Sequence, residues 1–340
     1  MPKQRTAFPK AVRLAKFLLD VAAGGASIAT LLGFAGSVWW LFELLEHPRP
    51  QYCLILVAAL VVGGIFRQAW SFVWCLPLAL NLALIVPLFF PSALSLDFKV
   101  PTNRPGDTTL RVIHVTLDNE NPDTTPAIQY IELQDADVIV LLEVTPRSLS
   151  QLQSKLSRYQ VAASEPRENS HGSAMLLPVK PSKPVEVVAT QIVHLPHWSE
   201  RPMLEATIRW GGKEVAILGI QLTRPQNSGT SGFQKVEFDA VADWSIRQQR
   251  EGKREVIAIG DFNSTPWSGR FREFLHQTDL RNSQGGFGLQ PTWHSSLPSP
   301  LMIAIDHCLH SKSITTIKRA TGSNIGSDHL PIFVELRRGA

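Results

Sequence analysis

Three long stretches without a charged residue near the N-terminus constrain the fold of this chain more than any other feature. They cover residues 21–42, 50–66 and 68–96. About 20 apolar residues let an α-helix cross the hydrocarbon of a bilayer, so the first and third stretches are long enough and the second is short but adequate. The sequence therefore predicts a membrane region, residues 1–96, with three transmembrane helices at about 18–45, 50–66 and 69–91. A cleaved signal peptide followed by buried helices is the alternative, but the first apolar run is longer than a signal-peptide core and two more runs follow it.

The distribution of basic residues predicts how the chain is oriented in the membrane. Five lysines and arginines precede the first predicted span. Segments rich in lysine and arginine stay on the cytoplasmic side, so the N-terminus is expected there and three crossings would place residues 97–340 outside. If only one of the second and third stretches crosses, residues 97–340 would be cytoplasmic instead. We expect a multi-pass protein of the cytoplasmic (inner) membrane whose C-terminal domain is periplasmic or extracellular.

The formal charge of +4 comes entirely from the membrane region. Residues 1–96 hold seven lysines and arginines against three acids, whereas residues 97–340 hold 26 of each sign. A soluble part without excess basic charge does not favour nucleic acid as a partner on grounds of charge. Its one cysteine, Cys308, leaves no disulfide to form within the domain and is expected to be a buried free thiol.

The rest of the chain predicts a linker followed by an α/β domain. Residues 97–109 contain two prolines and a glycine and show little periodicity, which is typical of a linker. Amphipathic helix patterns occur near 127–133, 146–156 and 233–244. Strand patterns occur at 110–117, 137–142, 158–163, 172–177, 185–194, 203–209, 213–222, 255–259, 301–309, 313–320 and 329–336. Strands mixed with packed helices over residues 110–340 predict a domain of the α/β class.

The segment at residues 260–266, Gly-Asp-Phe-Asn-Ser-Thr-Pro, places a carboxylate and a carboxamide two residues apart. It follows the apolar run 255–259, so Asp261 and Asn263 are expected where the chain leaves a buried strand and side chains can converge on a ligand. A carboxylate can hold a divalent cation or activate water, and a neutral amide adds no repulsion to a phosphate. The segment also fits a turn that caps a helix starting near Trp267.

Two further polar clusters lie at the ends of predicted strands. Glu143 follows the apolar run 138–142, as Asp261 follows its own run, and burying a carboxylate is costly unless it is paired or binds a cation. A helix cap near Pro146 is the alternative role for Glu143. Near the C-terminus, Asp328 and His329 precede the last strand. Because a carboxylate bonded to one imidazole nitrogen aims the other at substrate, we hypothesise a pairing of His329 with Asp306.

Taken in chain order, these motifs resemble those of the endonuclease/exonuclease/phosphatase superfamily, which includes DNase-I-like and sphingomyelinase-like domains. The resemblance covers roughly residues 110–336. It is carried by the strand 110–117 with Asn121 after it, and by residues 138–145, 260–266, 291–293, 305–307 and 327–329. Membrane spans ahead of such a domain resemble a common bacterial arrangement in this family.

The resemblance implies a two-sheet α/β sandwich of the DNase-I-like type, preceded by transmembrane α-helices. It also implies hydrolysis of phosphoester bonds that depends on Mg²⁺ or Mn²⁺. Among the metal-site positions, Glu143 matches a metal-ligand acid and Asp328 a second metal-linked acid. Among the catalytic positions, Asp261 matches the acid that activates water, Asn263 the amide that steadies nucleophile and phosphate, His329 the phosphate-contacting histidine, and Asp306 the acid that orients it.

Two positions depart from the family pattern. Thr116 stands where the family usually has a metal-site asparagine, and Gln221 stands where it has a catalytic histidine. A threonine oxygen could still bond a metal-bound water. A glutamine can donate a hydrogen bond to phosphate but cannot deliver a proton, a contribution typically worth roughly 10²–10⁴-fold. Asn119, Asn121 or His194 could fill these roles instead, and Asn121 joins Gln221 as a candidate substrate-binding residue.

The sequence therefore predicts a membrane-anchored, divalent-metal-dependent phosphoester hydrolase, either a phosphodiesterase, a nuclease or a phosphatase. The expected partners are the membrane, through the N-terminal helices, and a phosphoester substrate, either a lipid headgroup or nucleic acid; no protein partner is predicted. The alternative is a catalytically weakened domain of the same fold that binds a phosphorylated ligand or partner, suggested by Thr116 and Gln221.

Overall fold

The protein is described by a computed structural model that covers residues 9–91, 108–181 and 185–338. The chain divides into two compact units, Met1–Val86 and Pro87–Ala340. Residues 97–107 of the predicted linker, and both ends of the predicted membrane region, lie outside the described residues.

The first unit is helical. Its α-helices are α1 (Lys10–Gly33), α2 (Trp40–Leu44), α3 (Arg49–Ile65) and α4 (Cys75–Ile85), and 3₁₀ turns over Ala69–Trp74 and Val86–Phe89 flank α4. Helix α1 begins and ends earlier than the span predicted at 18–45. Two described helical segments, Lys10–Gly33 and Ala69–Phe89, have the length and apolar composition to cross a membrane, and Arg49–Ile65 is shorter. A signal sequence near the N-terminus or a core helix meets the same test of length and composition.

Small residues and one polar cluster join the helices of this unit. Ala23 and Ala26 of α1 pack with Leu56 and Ala59 of α3, and small side chains let two helix backbones approach closely. In the polar cluster, Arg49 Nη1 donates to Asn81 Oδ1 (3.0 Å), and Asn81 Nδ2 donates to Thr30 Oγ1 (2.8 Å). All three side chains are buried, so these bonds link α1, α3 and α4.

The second unit contains two six-stranded sheets. The first sheet has the order β11-β12-β1-β2-β4-β3 and the second the order β5-β6-β7-β8-β10-β9. The strands are β1 (Thr109–Thr116), β2 (Val138–Leu142), β3 (Tyr159–Glu165), β4 (Ser173–Pro178), β5 (Val185–His194), β6 (Pro202–Trp210), β7 (Lys213–Gln221), β8 (Glu255–Asp261), β9 (Arg281–Asn282), β10 (Asp306–His310), β11 (Ile314–Thr321) and β12 (Ile332–Arg338). The helices are α5 (Thr125–Gln134), α6 (Pro146–Lys155), α7 (Ser228–Arg250) and α8 (Gly269–Thr278).

Alternation along the strands builds three apolar layers. Val112 and Val140 of the first sheet join Ile257 and Cys308 of the second in a core between the sheets. The opposite face of the first sheet packs on α5 and α6. The opposite face of the second sheet packs on α7 and α8. The predicted two-sheet α/β sandwich is therefore confirmed, with helices outside both sheets, and Cys308 is a buried free thiol as predicted.

Most predicted elements of the second unit lie within a few residues of the observed ones, and one difference that concerns the site lies before β10. The predicted strand at 301–309 begins at Asp306: Ser299–Leu301 forms a 3₁₀ turn, and Ile303 forms only an isolated bridge with Trp293. This late start matters for the site, since it makes Asp306 the first residue of a central strand rather than a position within it.

Candidate active site

Three polar side chains form a row across the second sheet. Gln221 of β7 lies opposite Asp261 of β8, and Asp261 lies opposite Asp306 of β10. Because Ile257, Ile259 and Cys308 face the other sheet, the period of two places Asp261 and Asp306 on the same inner face. The apolar core between the two sheets thus ends at a polar row that faces the first sheet.

The first sheet contributes two polar residues to the same gap. Leu110 and Val112 of β1 belong to the core between the sheets, so His114 and Thr116 continue that face. Both side chains are buried. Polar groups from the two sheets therefore meet where the apolar core stops.

The carboxylate of Asp306 joins two histidines. Its Oδ2 lies 2.9 Å from His329 Nδ1, and its Oδ1 lies 2.9 Å from His114 Nε2. Asp306 and His114 are completely buried. The structure thus brings His329 and Asp306 together, as the pairing hypothesis expects, and adds a second imidazole that the sequence did not suggest.

The two buried acids of the row, Asp261 and Asp306, have pKa values that are shifted in opposite directions. Burial disfavours ionised Asp306, but the charge of His329 and hydrogen bonds from His329 and His114 hold its pKa below the ordinary value. Burial opposes protonation of His329, yet the charge of Asp306 and its hydrogen bond raise the pKa of His329 to about 10. Burial and the negative charge of Asp306 raise the pKa of Asp261 to about 7. At neutral pH the site therefore contains an ionised Asp306, a protonated His329 and an Asp261 that can exchange a proton.

Asp261 and Asn263 are fixed by the tight turn that ends β8. Asp261 Oδ1 accepts a hydrogen bond from Asn263 N (2.7 Å), and Asp261 Oδ2 accepts one from Asn263 Nδ2 (2.8 Å). Asn263 Nδ2 also donates to the Leu222 carbonyl (2.8 Å). Both amide hydrogens of Asn263 are thus used within the protein, and its Oδ1 is the atom left to accept a hydrogen bond. Asn263 has φ 46°, a left-handed conformation that asparagine tolerates better than most residues.

Glu143 lies at the end of β2 beside an open cavity. The cavity has a volume of about 660 Å³, and the acids Asp118, Glu120, Glu143 and Asp328 line it together with Asn119. Glu143 Oε2 accepts a hydrogen bond from Asn119 N (3.3 Å). Burial raises the pKa of Glu143 to about 7, and the charges of Asp328 and Asp118 add to that shift. Its φ of 57° is unusual for a glutamate and aims the residue away from the strand direction.

The donor set at this cavity suits a hard divalent cation. Mg²⁺ and Mn²⁺ prefer carboxylate and water oxygens, and Mg²⁺ commonly binds through one or two carboxylates while it keeps several waters. Glu143 and Asp328 offer such oxygens, and Asp118 lies near Glu143. In the described ranges, no three His, Cys, Asp or Glu side chains already form a metal-ligand cluster. The residues therefore fit an ion that keeps much of its water rather than one enclosed by protein ligands.

The remaining predicted residues lie at or behind this region. Thr116 Oγ1 lies 3.3 Å from His114 Nε2, and Thr116 does not line the cavity. Gln221 is buried at the end of β7, opposite Asp261. Asn121 Oδ1 accepts a hydrogen bond from Asp123 N (3.0 Å), so this part of Asn121 shapes its own loop. The metal and substrate roles of these three residues stay predictions.

Asn119 and His194, two of the residues that could replace Thr116 and Gln221 in their roles, lie in different places. Asn119 lines the cavity and contacts Glu143 through its backbone N–H. His194 ends β5, where its Nδ1 lies 2.7 Å from the Ser199 carbonyl and its Nε2 lies 3.7 Å from Glu165 Oε2. Of the two, Asn119 is the one that lines the cavity with Glu143 and Asp328.

Three residues of the site were missed by sequence reasoning. His114 could have been suspected, because it alternates with Thr116 on the inner face of β1. Asp118 follows two residues later and lines the cavity. Arg201 has no local signal: its Nε donates to Thr223 Oγ1 (3.2 Å), which in turn donates to Glu237 Oε1 (3.0 Å).

Arg201 adds a positive charge beside the site acids. Burial lowers the pKa of Arg201, and the negative charges of Glu237, Asp261 and Glu143 oppose that shift. A second cation, Arg224, lies over the ring of Trp293, with its guanidinium carbon 4.5 Å from the ring centroid. Trp293 Nε1 donates to Asp328 Oδ2 (2.9 Å), which connects this pair to the cavity.

The order and geometry of these residues agree with a comparison of the sequence with family models. The model of the endonuclease/exonuclease/phosphatase family matches residues 113–329. The chain belongs to this family. The matched range begins in β1 and ends at His329, so it includes every site residue described above. No curated protein is significantly similar to the chain in sequence.

Solved structures with the same fold include several members of the family. A family protein from Bacteroides thetaiotaomicron has a TM-score of 0.55 and 17% identity, over 69% of this chain and 99% of its own. TDP2 from D. rerio, complexed with a single-strand DNA product, has a TM-score of 0.54 and 16% identity, over 68% and 99% of the two chains. A mannosyl-6-phosphatase from Bacteroides thetaiotaomicron has a TM-score of 0.52 and 17% identity, over 67% and 99%. These similarities show the shared fold.

Proposed function

We propose that the second unit hydrolyses phosphoester bonds with the help of Mg²⁺ or Mn²⁺. The observation that carries the proposal is the pair of groups at the end of the sandwich: His329 held by Asp306, and Asp261 held by Asn263. Two kinds of group, a protonated imidazole and a carboxylate that can take up a proton, therefore lie near Glu143, one of the acids that line the cavity. Family membership supports this reaction class at a general level, since the family is one of endonucleases, exonucleases and phosphatases.

The cation would be held by Glu143 and Asp328, with Asp118 close enough to bind one of its waters. When bound, it would neutralise the phosphate charge and polarise a phosphate oxygen. The protein supplies oxygen ligands of the correct kind at the ends of two different elements, the loop after β2 and the loop before β12. Glu143 is partly desolvated, so a cation would also stabilise its ionised form.

Asp261 is the group proposed to accept a proton from the attacking water. A general base works best when its pKa lies near the operating pH, and the pKa of Asp261 is raised to about 7. Asn263 keeps this carboxylate in one orientation through two hydrogen bonds. Its free Oδ1 can accept a hydrogen bond from the same water, which would hold the water for attack.

His329 is the group proposed to contact the phosphate. Its Nδ1 is engaged by Asp306, which leaves Nε2 as a donor whose nearest acid is Asp328, 4.0 Å away. A protonated imidazole at this position stabilises negative charge that develops on a phosphate oxygen. Arg201 would add to the positive potential, because its charge interacts with both Asp261 and Glu143.

The substrate class proposed is a phosphoester presented at a membrane. Similar folds occur in a protein solved with a single-strand DNA product and in a mannosyl-6-phosphatase, so both diesters and monoesters are open. We propose that the apolar helices of the first unit anchor the chain in the cytoplasmic membrane, with the second unit on the periplasmic or extracellular side. Anchoring favours a lipid headgroup over nucleic acid, and the neutral balance of residues 97–340 points the same way.

The test is hydrolysis by the full chain in detergent micelles with Mg²⁺ or Mn²⁺, on bis(p-nitrophenyl) phosphate, p-nitrophenyl phosphate, plasmid DNA and phospholipid vesicles. Asp261→Ala should lower kcat by roughly 10²–10⁴-fold, the usual contribution of a general base. Asp239→Ala is the matched control, because Asp239 is an exposed acid on α7 and should leave kcat unchanged. Undiminished cleavage by Asp261→Ala would overturn the site assignment.

The second candidate is a domain of the same fold that binds a phosphorylated ligand without turnover. Gln221 favours it, because an amide cannot deliver a proton, and so does Thr116, whose hydroxyl lies against His114 instead of the cavity. Metal-dependent binding of inorganic phosphate, with no hydrolysis of any of the four substrates, would select this candidate. A reporter fused after Ala340 that is active only in the cytoplasm would overturn the proposed orientation.

A further inference from the structure

We propose that His114 is a positioning residue of the site, which fixes the carboxylate of Asp306 so that Asp306 can orient His329. The inference deepens the proposed function and rests on it for its kinetic consequences. This inference gives strand β1 a role in the site through His114, which lies two residues before Thr116.

The two oxygens of Asp306 are divided between the two imidazoles. Oδ2 lies 2.9 Å from His329 Nδ1, and Oδ1 lies 2.9 Å from His114 Nε2. A carboxylate bonded at only one oxygen can rotate about its terminal torsion, which has a broad energy minimum. A second bond at the other oxygen removes that freedom and fixes the plane in which His329 is held.

The surroundings of His114 assign its tautomer. His114 Nδ1 is buried and has no hydrogen-bond partner among the residues that the structure describes. A proton on Nδ1 would leave a buried donor unpaired, whereas a proton on Nε2 can be donated to ionised Asp306. The hydrogen-bond geometry therefore assigns a proton to Nε2, which donates to Asp306 Oδ1. Thr116 Oγ1, 3.3 Å from the same nitrogen, can only be a weak second acceptor of that N–H.

The bond crosses from one sheet to the other. His114 belongs to β1 of the first sheet and Asp306 to β10 of the second, and both side chains are completely buried. A hydrogen bond to an ionised group in such a place is stronger than one in water. Loss of the donor would leave Asp306 with an unpaired oxygen and let the His329 ring shift relative to Asp261 and Asn263.

Two substitutions separate positioning from packing. His114→Leu keeps a comparable volume but removes the donor, whereas His114→Gln keeps an N–H donor near the position of Nε2. With bis(p-nitrophenyl) phosphate and Mg²⁺, His114→Leu should lower kcat by roughly 10–100-fold with little change in KM, the loss expected for a hydrogen bond to a charged group. His114→Gln should recover most of the loss. Equal loss of kcat in both variants would overturn the inference.

His310→Leu is the matched control for the burial of a histidine. His310 is also buried and hydrogen-bonded, with Nδ1 3.0 Å from the Ser311 carbonyl and Nε2 2.9 Å from Thr316 Oγ1. It lies at the opposite end of β10 from Asp306, so it should affect thermal stability and not kcat. A fall in kcat for His310→Leu as large as that for His114→Leu would mean that general destabilisation explains both, and would contradict positioning.

The pathway through His329 gives a further test. If His114 acts only by orienting His329, then His114→Leu should have no additional effect on kcat once His329→Ala is in place. A full additional loss in the double variant would show that His114 acts by another route, and would overturn the inference.

One measurement does not depend on turnover. In the full chain labelled with ¹⁵N-histidine, the Nδ1–H of His329 bonded to Asp306 should give a strongly deshielded proton resonance, assigned by its absence in His329→Ala. The resonance should persist in His114→Gln and broaden or disappear in His114→Leu. An unchanged resonance in His114→Leu would overturn positioning even in an active protein. If the wild-type chain hydrolyses none of the substrates, the proposed function fails while this resonance still decides the role of His114.

Discussion

Gly260 precedes Asp261 at the end of β8. Its replacement by alanine should weaken the pairing of β7 with β8, which places Gln221 opposite Asp261. Gly260 has φ 146°, a conformation that is essentially restricted to glycine. A Cβ built there would lie 2.0 Å from the carbonyl oxygen of Ile220, its partner in the parallel strand β7. The obstacle is backbone, so no side-chain rotation can relieve it.

The cost of Gly260→Ala has two parts. The positive φ costs about 1–3 kcal/mol, which any glycine at such an angle would share. To bring the Cβ to an ordinary contact distance, β7 and β8 must separate by roughly 1 Å, which stretches the neighbouring backbone hydrogen bonds beyond their working range. One or two buried groups left unsatisfied add about 2–4 kcal/mol. This is a large share of the roughly 5–15 kcal/mol that stabilises a native domain.

The assay is amide hydrogen exchange of the full chain, read by mass spectrometry over β7 and β8. Gly212→Ala is the matched control, because Gly212 also has a positive φ, 79°, but a Cβ there would meet nothing within 4 Å. It lies in the turn that leads into β7, so both variants report on the same strands. The clash alone should reduce protection in Gly260→Ala by about 30- to 1,000-fold relative to Gly212→Ala, since 1.4 kcal/mol corresponds to tenfold.

Equal protection in the two alanine variants would refute the reasoning, because it would mean that the sheet absorbs the Cβ without separating the strands. The same displacement should move Gln221 and Asp261, which follow Ile220 and Gly260 directly. We therefore expect Gly260→Ala to lose hydrolysis along with protection, whereas Gly212→Ala should retain it.

Two further predictions concern the stability of the second unit. Phe262→Ala should lower the free energy of unfolding by about 3–5 kcal/mol, because the ring is completely buried among other aromatic rings. Thermal denaturation measures this loss, with Phe233→Ala as the control because Phe233 is 51% exposed. Equal losses in the two variants would contradict the prediction. Burial lowers the pKa of His307 to about 3, below the roughly 6.5 expected in the unfolded chain. As the pH drops, the unfolded state therefore binds a proton first. The free energy of unfolding should fall between about pH 6.5 and 3 for this reason. His307→Gln should flatten that decline by up to about 1.4 kcal/mol per pH unit in denaturation measured across the range, and an unchanged slope would contradict the assignment.

The elements of the second unit could largely be predicted from the sequence because their signals are local. Alternating or wholly apolar runs such as 138–142 and 255–259 identify strands, and the stripe within 233–244 identifies α7. Glu143 and Asp261 stood out for the same reason, since each follows directly on a buried run. The start of β10 was less accessible: residues 301–305 are apolar enough for a strand, but Ile303 forms only an isolated bridge with Trp293, and the continuous pairing with β8 starts at Asp306.

Contacts between the sheets could not be predicted from local patterns. His114 and Asp306 are 192 residues apart, and nothing near either residue specifies the other. Arg319 is a second example: this buried guanidinium on β11 donates to the carbonyl of Asp306 (3.1 Å), which supports the same strand end from another direction. Such contacts depend on how two sheets stack, a property of the whole core.

The sequence by itself determined the division into an apolar N-terminal region and an α/β domain, the family, and the order of acids, amides and histidines at strand ends. It did so because hydrophobic periodicity and short motifs are properties of neighbouring residues. Only the tertiary structure decided which of these side chains touch: that Asn263 uses both amide hydrogens inside the protein, that Thr116 faces His114, and that Asp306 is shared by two histidines. The physical reason is that sheet register and the stacking of the two sheets place atoms from distant segments within hydrogen-bond distance, and neither is encoded near the residues it brings together.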